Sequence, residues 1–247
     1  MLNPFDLTTQ AHLWYCPVAE VDVSGARAAF EAQLSEEEMA RYQRFRFDKD
    51  KDLFLVSHVF LRQILTYYTG IPREKLMFTV NAYGRPELVK YGRLKQLRFN
   101  LSHTDGMAAL IVSDAAECGV DVERFGRMND LEAIAQRFFS AAETQELFAL
   151  PQEEREQQFY AYWTLKESYI KAKGKGLSIP LSRFSFSLKG DIIRNFACEP
   201  ALNEQSSQWQ FGLIKPLASH QLAWAFKNLE EGQWLEVKRQ CYVPVAR

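Results

Sequence analysis

Ser35-Glu36-Glu37-Glu38 and Ser140-Ala141-Ala142-Glu143 carry one pattern twice. In each, a serine hydroxyl can accept from a free amide three residues on, and a glutamate can reach back to the serine's own amide, the signature of a helix-capping box. A charged stretch and then a strongly apolar helical segment follow each box. The segments stop at Gly70 and Gly174, 35 and 34 residues beyond the serines. A glycine at such a point reads as the left-handed residue that ends a helix. The correspondence continues through Pro72 and Pro180, then Phe78-Thr79-Val80 and Phe184-Ser185-Phe186, with turn signals near Gly84 and Gly190. Phe99-Asn100-Leu101 and Phe211-Gly212-Leu213 each precede an apolar strand, Met107 to Val112 and Leu222 to Phe226. The expected fold is therefore α+β, with two similar halves (a pseudo-duplication), each a helix packed on a mostly antiparallel sheet, and the active site at their interface. The join falls near Cys118, giving an N-terminal half of residues 1–117 and a C-terminal half of residues 118–247.

Aligning the halves on their glycines sets Lys166-Glu167 against Arg62-Gln63. An amide stands in one half where the other has a carboxylate, so chemistry that uses Glu167 is not duplicated. One site is expected, not two.

Thirty Lys and Arg against 31 Asp and Glu give 247 residues a formal net charge of −1. That balance gives no global support for a nucleic-acid binder. A hydrophobic fraction of 47% is globular, not disordered. No apolar run approaches the roughly 20 residues that span a bilayer, and the first residues lack the basic and apolar regions of a secretory signal. Cys16, Cys118, Cys198 and Cys241 are scattered, with no Cys-x-x-Cys pair, as reduced thiols in a cytoplasmic protein would be. No membrane and no nucleic-acid partner are expected.

Gly119-Val120-Asp121-Val122-Glu123 alternates apolar and acidic residues. As a strand it puts both carboxylates on one face, which is either a solvated face or a place for a cation. The helix from about Phe159 to Lys173 carries apolar residues in nearly every direction, so it is expected to be central and buried. Glu167 and Lys171 share a face of it at i,i+4, as a structural ion pair or as part of a site. Three carboxylates without a His or Cys cluster point to oxygen ligation of a hard cation, Mg²⁺ first, which leaves positions for substrate phosphates. Basic candidates for a diphosphate are Lys171, Lys173, Lys175, Arg85 in the Gly84-Arg85-Pro86 turn, and the stretch from Arg41 to Lys51. His103 lies in a Ser102-His103-Thr104-Asp105-Gly106 turn. No Gly-x-Ser-x-Gly elbow and no Walker loop is present.

Phe99-Asn100-Leu101-Ser102-His103, then Gly119 to Glu123, then Trp163-Thr164-Leu165-Lys166-Glu167-Ser168-Tyr169-Ile170-Lys171-Ala172 resemble, in order and spacing, the motifs of 4′-phosphopantetheinyl transferases. The length and two-half layout are similar to the monomeric Sfp type. The resemblance runs from about Ser35 to Phe186. It implies an enzyme, a holo-[acyl-carrier-protein] synthase, that moves the phosphopantetheine arm of coenzyme A onto a serine of an apo-carrier protein and releases adenosine 3′,5′-bisphosphate. It implies Asp121, Glu123 and Glu167 as ligands of Mg²⁺ (Mn²⁺ as substitute), and Glu167 and Lys171 as catalytic. It further implies coenzyme A contacts from Arg41, Lys51, Arg85, Pro86, Ser102, His103, Asp121, Lys166 and Lys171, with nucleotide contacts in the first half. Glu38 stands where some members have a contacting lysine, and Leu53 where members often have an arginine. The competing readings are a Mg²⁺-dependent phosphohydrolase of a nucleotide diphosphate, and a non-catalytic module that binds carrier proteins or coenzyme A. Carrier proteins of the family are acidic, so local basic patches around Lys171 to Lys175 and Arg41 to Lys51 are expected.

Overall fold

Both capping boxes form. In the computed structural model, which describes residues 2–3, 6–7, 9–89, 97–114, 117–126, 128, 130–228 and 234–246, Ser35 and Glu38 cap helix α2 (Glu36–Tyr42), and Ser140 and Glu143 cap α5 (Ala141–Ala149). Each box is followed by a 22-residue helix, α3 (Asp48–Thr69) and α6 (Gln152–Lys173). These end on left-handed Gly70 and Gly174 as expected. Helix α6 begins at Gln152, several residues before its apolar pattern, because its first two turns are polar and exposed. Two shorter helices, α1 (Val23–Glu31) and α4 (Leu131–Phe138), precede the boxes.

The strands repeat as well. The N-terminal sheet contains β1 (Gln10–Pro17), β4 (Leu97–Thr104) and β5 (Met107–Asp114). The C-terminal sheet contains β6 (Glu117–Arg124), β9 (Trp209–Ile214) and β10 (His220–Lys227). Strand orders β1-β5-β4 and β6-β10-β9 are equivalent. Small hairpins follow each long helix: β2 (Phe78–Val80) with β3 (Pro86–Leu88), and β7 (Phe184–Lys189) with β8 (Ile192–Cys198). Residues 195–208, for which the sequence supports no assignment, are the end of β8 and two 3-10 turns.

Strand β11 (Glu236–Cys241) pairs in parallel with β1, so it joins the N-terminal sheet although it lies in the 118–247 segment. Gln63 holds this returning segment. Its amide donates to the Val245 carbonyl at 2.7 Å and accepts from the Val245 amide at 3.1 Å and the Tyr242 hydroxyl at 2.8 Å. The position that corresponds to Glu167 is thus occupied by a side chain that grips backbone.

The capping glutamates have a second duty that is also duplicated. Glu38 receives Arg62 Nε at 2.8 Å, while Arg62 donates to the carbonyls of Arg73 and Leu76. Glu143 pairs with Lys166 at 2.7 Å, while Lys166 donates to the carbonyls of Leu181 and Phe184. Each pair ties the box to the long helix and to the chain just beyond it.

Helix α3 covers the outer face of the N-terminal sheet and α6 that of the C-terminal sheet. The inner faces enclose a third core of Leu13, Ile111, Val120, Val122, Leu222 and Phe226 among others. Side chains bridge both seams between the sheets. Asn100 and Ser102 accept from the Val120 and Val122 amides on one side, and Gln210 exchanges two hydrogen bonds with Leu235 on the other. These bonds replace a backbone ladder, satisfying buried amides that would otherwise have no partner. Among the described residues, no helix is long and apolar enough to cross a membrane.

A buried chain of Trp14, Tyr68 and His12 closes the far end of α3. Trp14 Nε1 donates to the Tyr68 oxygen at 2.9 Å, so the Tyr68 proton goes to His12 Nδ1 at 2.5 Å. Burial lowers the His12 pKa from its ordinary value of 6.5. The unfolded chain therefore takes up this proton more readily than the folded one, so His12's share of stability is complete above about pH 6.5 and is lost as pH falls below it. The melting temperature is expected to drop between pH 7.5 and 5.5, and to drop less in His12→Gln. Parallel thermal melts at the two pH values check this.

Candidate active site

The seam between β4 and β6 is where Ser102, Asp121, Glu123, Glu167 and Lys171 meet. The close approach of α6 to β6 follows from Gly119. A Cβ there would stand 2.1 Å from the Ser168 carbonyl oxygen and 2.4 Å from the Ala172 amide, both backbone atoms of α6. With no side chain at that position, α6 lies directly on the strand and brings Glu167 and Lys171 over Asp121 and Glu123. The strand period holds: Val120 and Val122 enter the inner core, and Asp121 faces Lys171.

Lys171 Nζ donates to Asp121 Oδ1 at 2.5 Å and to Ser102 Oγ at 3.0 Å, and Ser102 donates to the same Asp121 oxygen at 3.0 Å. Asp121 is 2% exposed and its other oxygen, Oδ2, is buried without a hydrogen-bond partner. Thr104 donates to Glu123 at 3.3 Å. Glu123, Glu167 and Lys171 are half-buried, so the cluster has an acidic floor and an open side. Burial and then the Asp121 carboxylate push the Glu167 pKa up to about 7, with Lys171 opposing and Glu123 adding. Burial alone would lower Lys171, but Asp121 beneath it, with Glu167 and Glu123, outweighs that and holds it above its ordinary value.

Among the described residues no group of three or more His, Cys, Asp and Glu side chains is gathered so as to hold a metal ion. The donor chemistry nonetheless fits a hard divalent cation. Three mutually repelling carboxylates and one orphaned, buried carboxylate oxygen are what such an ion would neutralise and satisfy.

A groove of about 480 Å³ opens on the other face of β4. Its lining includes Arg41, His58, Met77, Pro86, Leu101 and His103. Arg41 lies over the Phe54 ring at 5.5 Å and His58 stacks on the same ring at 3.8 Å. The groove and the carboxylate cluster share one strand, so Ser102 and His103 face opposite ways from adjacent positions.

Three expected contacts are brought neither to this groove nor to the carboxylate cluster. Lys166 is fully buried on Glu143, the counterpart of Arg62 on Glu38; its presence in both halves marks it as part of the framework. Arg85 turns its guanidinium inward onto the carbonyls of Ala172, Phe99 and Cys118 at 2.8, 3.3 and 3.2 Å. Lys51 lies in the first turn of α3 and, like Lys49, does not line the groove; Lys49 faces a separate cleft with Leu53 and Arg124. The expected basic patch around Lys171 to Lys175 is largely internal, since Lys173 pairs with Glu204 at 2.5 Å and Glu117 at 3.5 Å. The sequence reading missed His58 and Thr104. Thr104 was within reach, because Asn100, Ser102 and Thr104 alternate along β4 on the face that meets β6.

The chain is similar to known proteins along most of its length. Residues 117–225 match the family model described as the 4′-phosphopantetheinyl transferase superfamily, and residues 26–115 the model described as 4′-phosphopantetheinyl transferase, N-terminal. The 4′-phosphopantetheinyl transferase HetI of Nostoc sp. is 35% identical over 172 residues, covering 70% of this chain and 72% of its own. The 4′-phosphopantetheinyl transferase Sfp of Bacillus subtilis is 33% identical over 162 residues, covering 66% and 70%. The 4′-phosphopantetheinyl transferase psf-1 of Bacillus pumilus is 37% identical over 158 residues, covering 64% and 65%.

Proposed function

Because this chain belongs to the 4′-phosphopantetheinyl transferase superfamily and is an enzyme of its Sfp type, we propose that it transfers the phosphopantetheine arm of coenzyme A to a serine of an apo-carrier protein. The observation that carries the reading is the Ser102–Asp121–Lys171 cluster beside Glu167, with its orphaned Asp121 oxygen. The serine oxygen attacks the phosphorus that bears the pantetheine arm. The bond to the bridging oxygen breaks, and adenosine 3′,5′-bisphosphate leaves. Phosphoryl-type transfer asks the protein mainly to align reactants and stabilise charge.

Each residue has a definite part in that work. Arg41, Pro86 and His103 line the groove, where the basic pair meets the nucleotide phosphate. Lys171 stands where charge develops on the diphosphate and is held there by Asp121 and Ser102. Glu167 takes the proton of the serine hydroxyl, directly or through water. Asp121, Glu123 and Glu167 would hold Mg²⁺, or Mn²⁺ in its place, which when bound supplies positive charge to the diphosphate oxygens. The duplicated halves form the site within one chain, so a monomer suffices.

Incubating the protein with an apo-carrier protein, coenzyme A and Mg²⁺ is expected to add one phosphopantetheine to the carrier, read by intact mass. The gain should vanish with EDTA and with a carrier whose serine is replaced by alanine. Coenzyme A breakdown without any carrier would favour the phosphohydrolase reading. Metal-independent coenzyme A binding with no transfer to several carrier classes would leave a binding module.

A further inference from the structure

The two long helices are duplicates, yet they end differently. Helix α3 stops at Gly70 with open space around the glycine. Helix α6 stops at Gly174 against the turn that joins β2 to β3, which comes from the other half. A Cβ on Gly174 would stand 2.9 Å from Arg85 Cδ and 3.2 Å from Asn81 Nδ2. Asn81 Nδ2 donates to the Gly174 carbonyl at 2.8 Å, and Arg85 Nη1 to the Ala172 carbonyl at 2.8 Å. The last carbonyls of a helix have no partner within it. Here they are satisfied from outside in the helix that carries Glu167 and Lys171; among the described residues no such donor is shown at the end of its duplicate.

Asn81 also shapes the turn that does this. Its Oδ1 accepts from the Tyr83 and Arg85 amides, each at 2.9 Å, the pattern of an Asx turn. The turn aims Arg85, whose other nitrogen reaches the carbonyls of Phe99 on β4 and Cys118 on β6. One arginine therefore touches all three elements that carry Ser102, Asp121 and Lys171. We propose that Asn81 is a positioning residue of the transfer reaction: through its bond to Gly174 and its presentation of Arg85, it fixes the last turn of α6 and so holds Lys171 on Asp121.

The proposal rests on the transferase reading, and its test keeps the two apart. Asn81→Asp retains the oxygen that accepts from Tyr83 and Arg85 but loses the donor to Gly174. In the full-length protein, amide hydrogen exchange at residues 170–174 is expected to rise about tenfold in this variant, with the C-terminal turn of α3 unchanged as internal control. Steady-state transfer is expected to show kcat reduced about tenfold with KM for coenzyme A within about twofold, since Asn81 does not line the groove. Asn81→Ala, which also loses the turn acceptor, should lose at least as much.

Unchanged exchange in α6 would overturn the clamp. Faster exchange with wild-type kcat would overturn the positioning role, and so would a loss confined to KM. A wild-type protein without transfer activity would instead sink the transferase reading, while the exchange result would still report on the clamp.

Discussion

Glu143→Ala is expected to lower the unfolding free energy by about 3–5 kcal/mol, the range for removing one partner of a buried ion pair. Glu143 and Lys166 side chains are both 0% exposed. Besides the ammonium, Glu143 accepts from the Ser140 and Phe186 amides at 2.9 Å each. Truncation thus removes the glutamate half of the capping box, strands the Phe186 amide of β7 and leaves Lys166 with the two carbonyls of Leu181 and Phe184. Burial already lowers the Lys166 pKa and Glu143 opposes that shift; without it the buried amine would tend to lose its proton. The double variant Glu143→Leu with Lys166→Met should recover much of the loss, because no uncompensated charge is left. Urea unfolding of the wild type, Glu143→Leu, Lys166→Met and the double variant measures the coupling. A single-variant loss below about 1 kcal/mol, the range of exposed pairs, would show that water reaches this pair.

Lys171→Ala is expected to slow transfer by about 10²–10³-fold at saturating coenzyme A, the range for removing one preorganised electrostatic donor. In the folded protein Lys171 is the cation on Asp121, whose second oxygen is already without a partner. Its loss leaves Asp121, Glu123 and Glu167 to repel one another and removes positive charge from the open side of the cluster. Single-turnover intact-mass kinetics separates the chemical step from release. A defect confined to KM would make Lys171 a ground-state contact only. Lys171→Arg should not restore the rate, since a planar guanidinium cannot take the compact ammonium's place between Asp121 and Ser102.

Much of this was legible in the chain because capping boxes and helix-ending glycines are local signals. Ser35 with Glu38 and Ser140 with Glu143 need only four residues each to declare themselves, and Gly119 to Glu123 needs only a strand's alternation. What could not be read depends on distant partners. Nothing local to Glu236–Cys241 says that it pairs with β1, or that Gln63 will hold Val245. The place of Lys166 is more instructive. The basic residue recurs in both halves, as Arg62 and Lys166, whereas the residue beside it changes from Gln63 to Glu167. What the duplication preserved is framework, and what it let diverge is the chemistry in one half and the hold on the returning segment in the other. That contrast was present in the aligned residues. Arg85 was beyond such reasoning, because its partners are backbone carbonyls on three elements.

The return of β11 to the N-terminal sheet sets the order of events as the chain is made. Strand β1 leaves the ribosome about 220 residues before its partner β11. At roughly 5–20 residues per second, that edge of β1 stays unpaired for tens of seconds. Through that interval the nascent protein offers a strand edge to any neighbour that can pair with it. The N-terminal sheet is completed only when β11 has emerged, so that emergence, not the emergence of β1, β4 and β5, is the step that closes it.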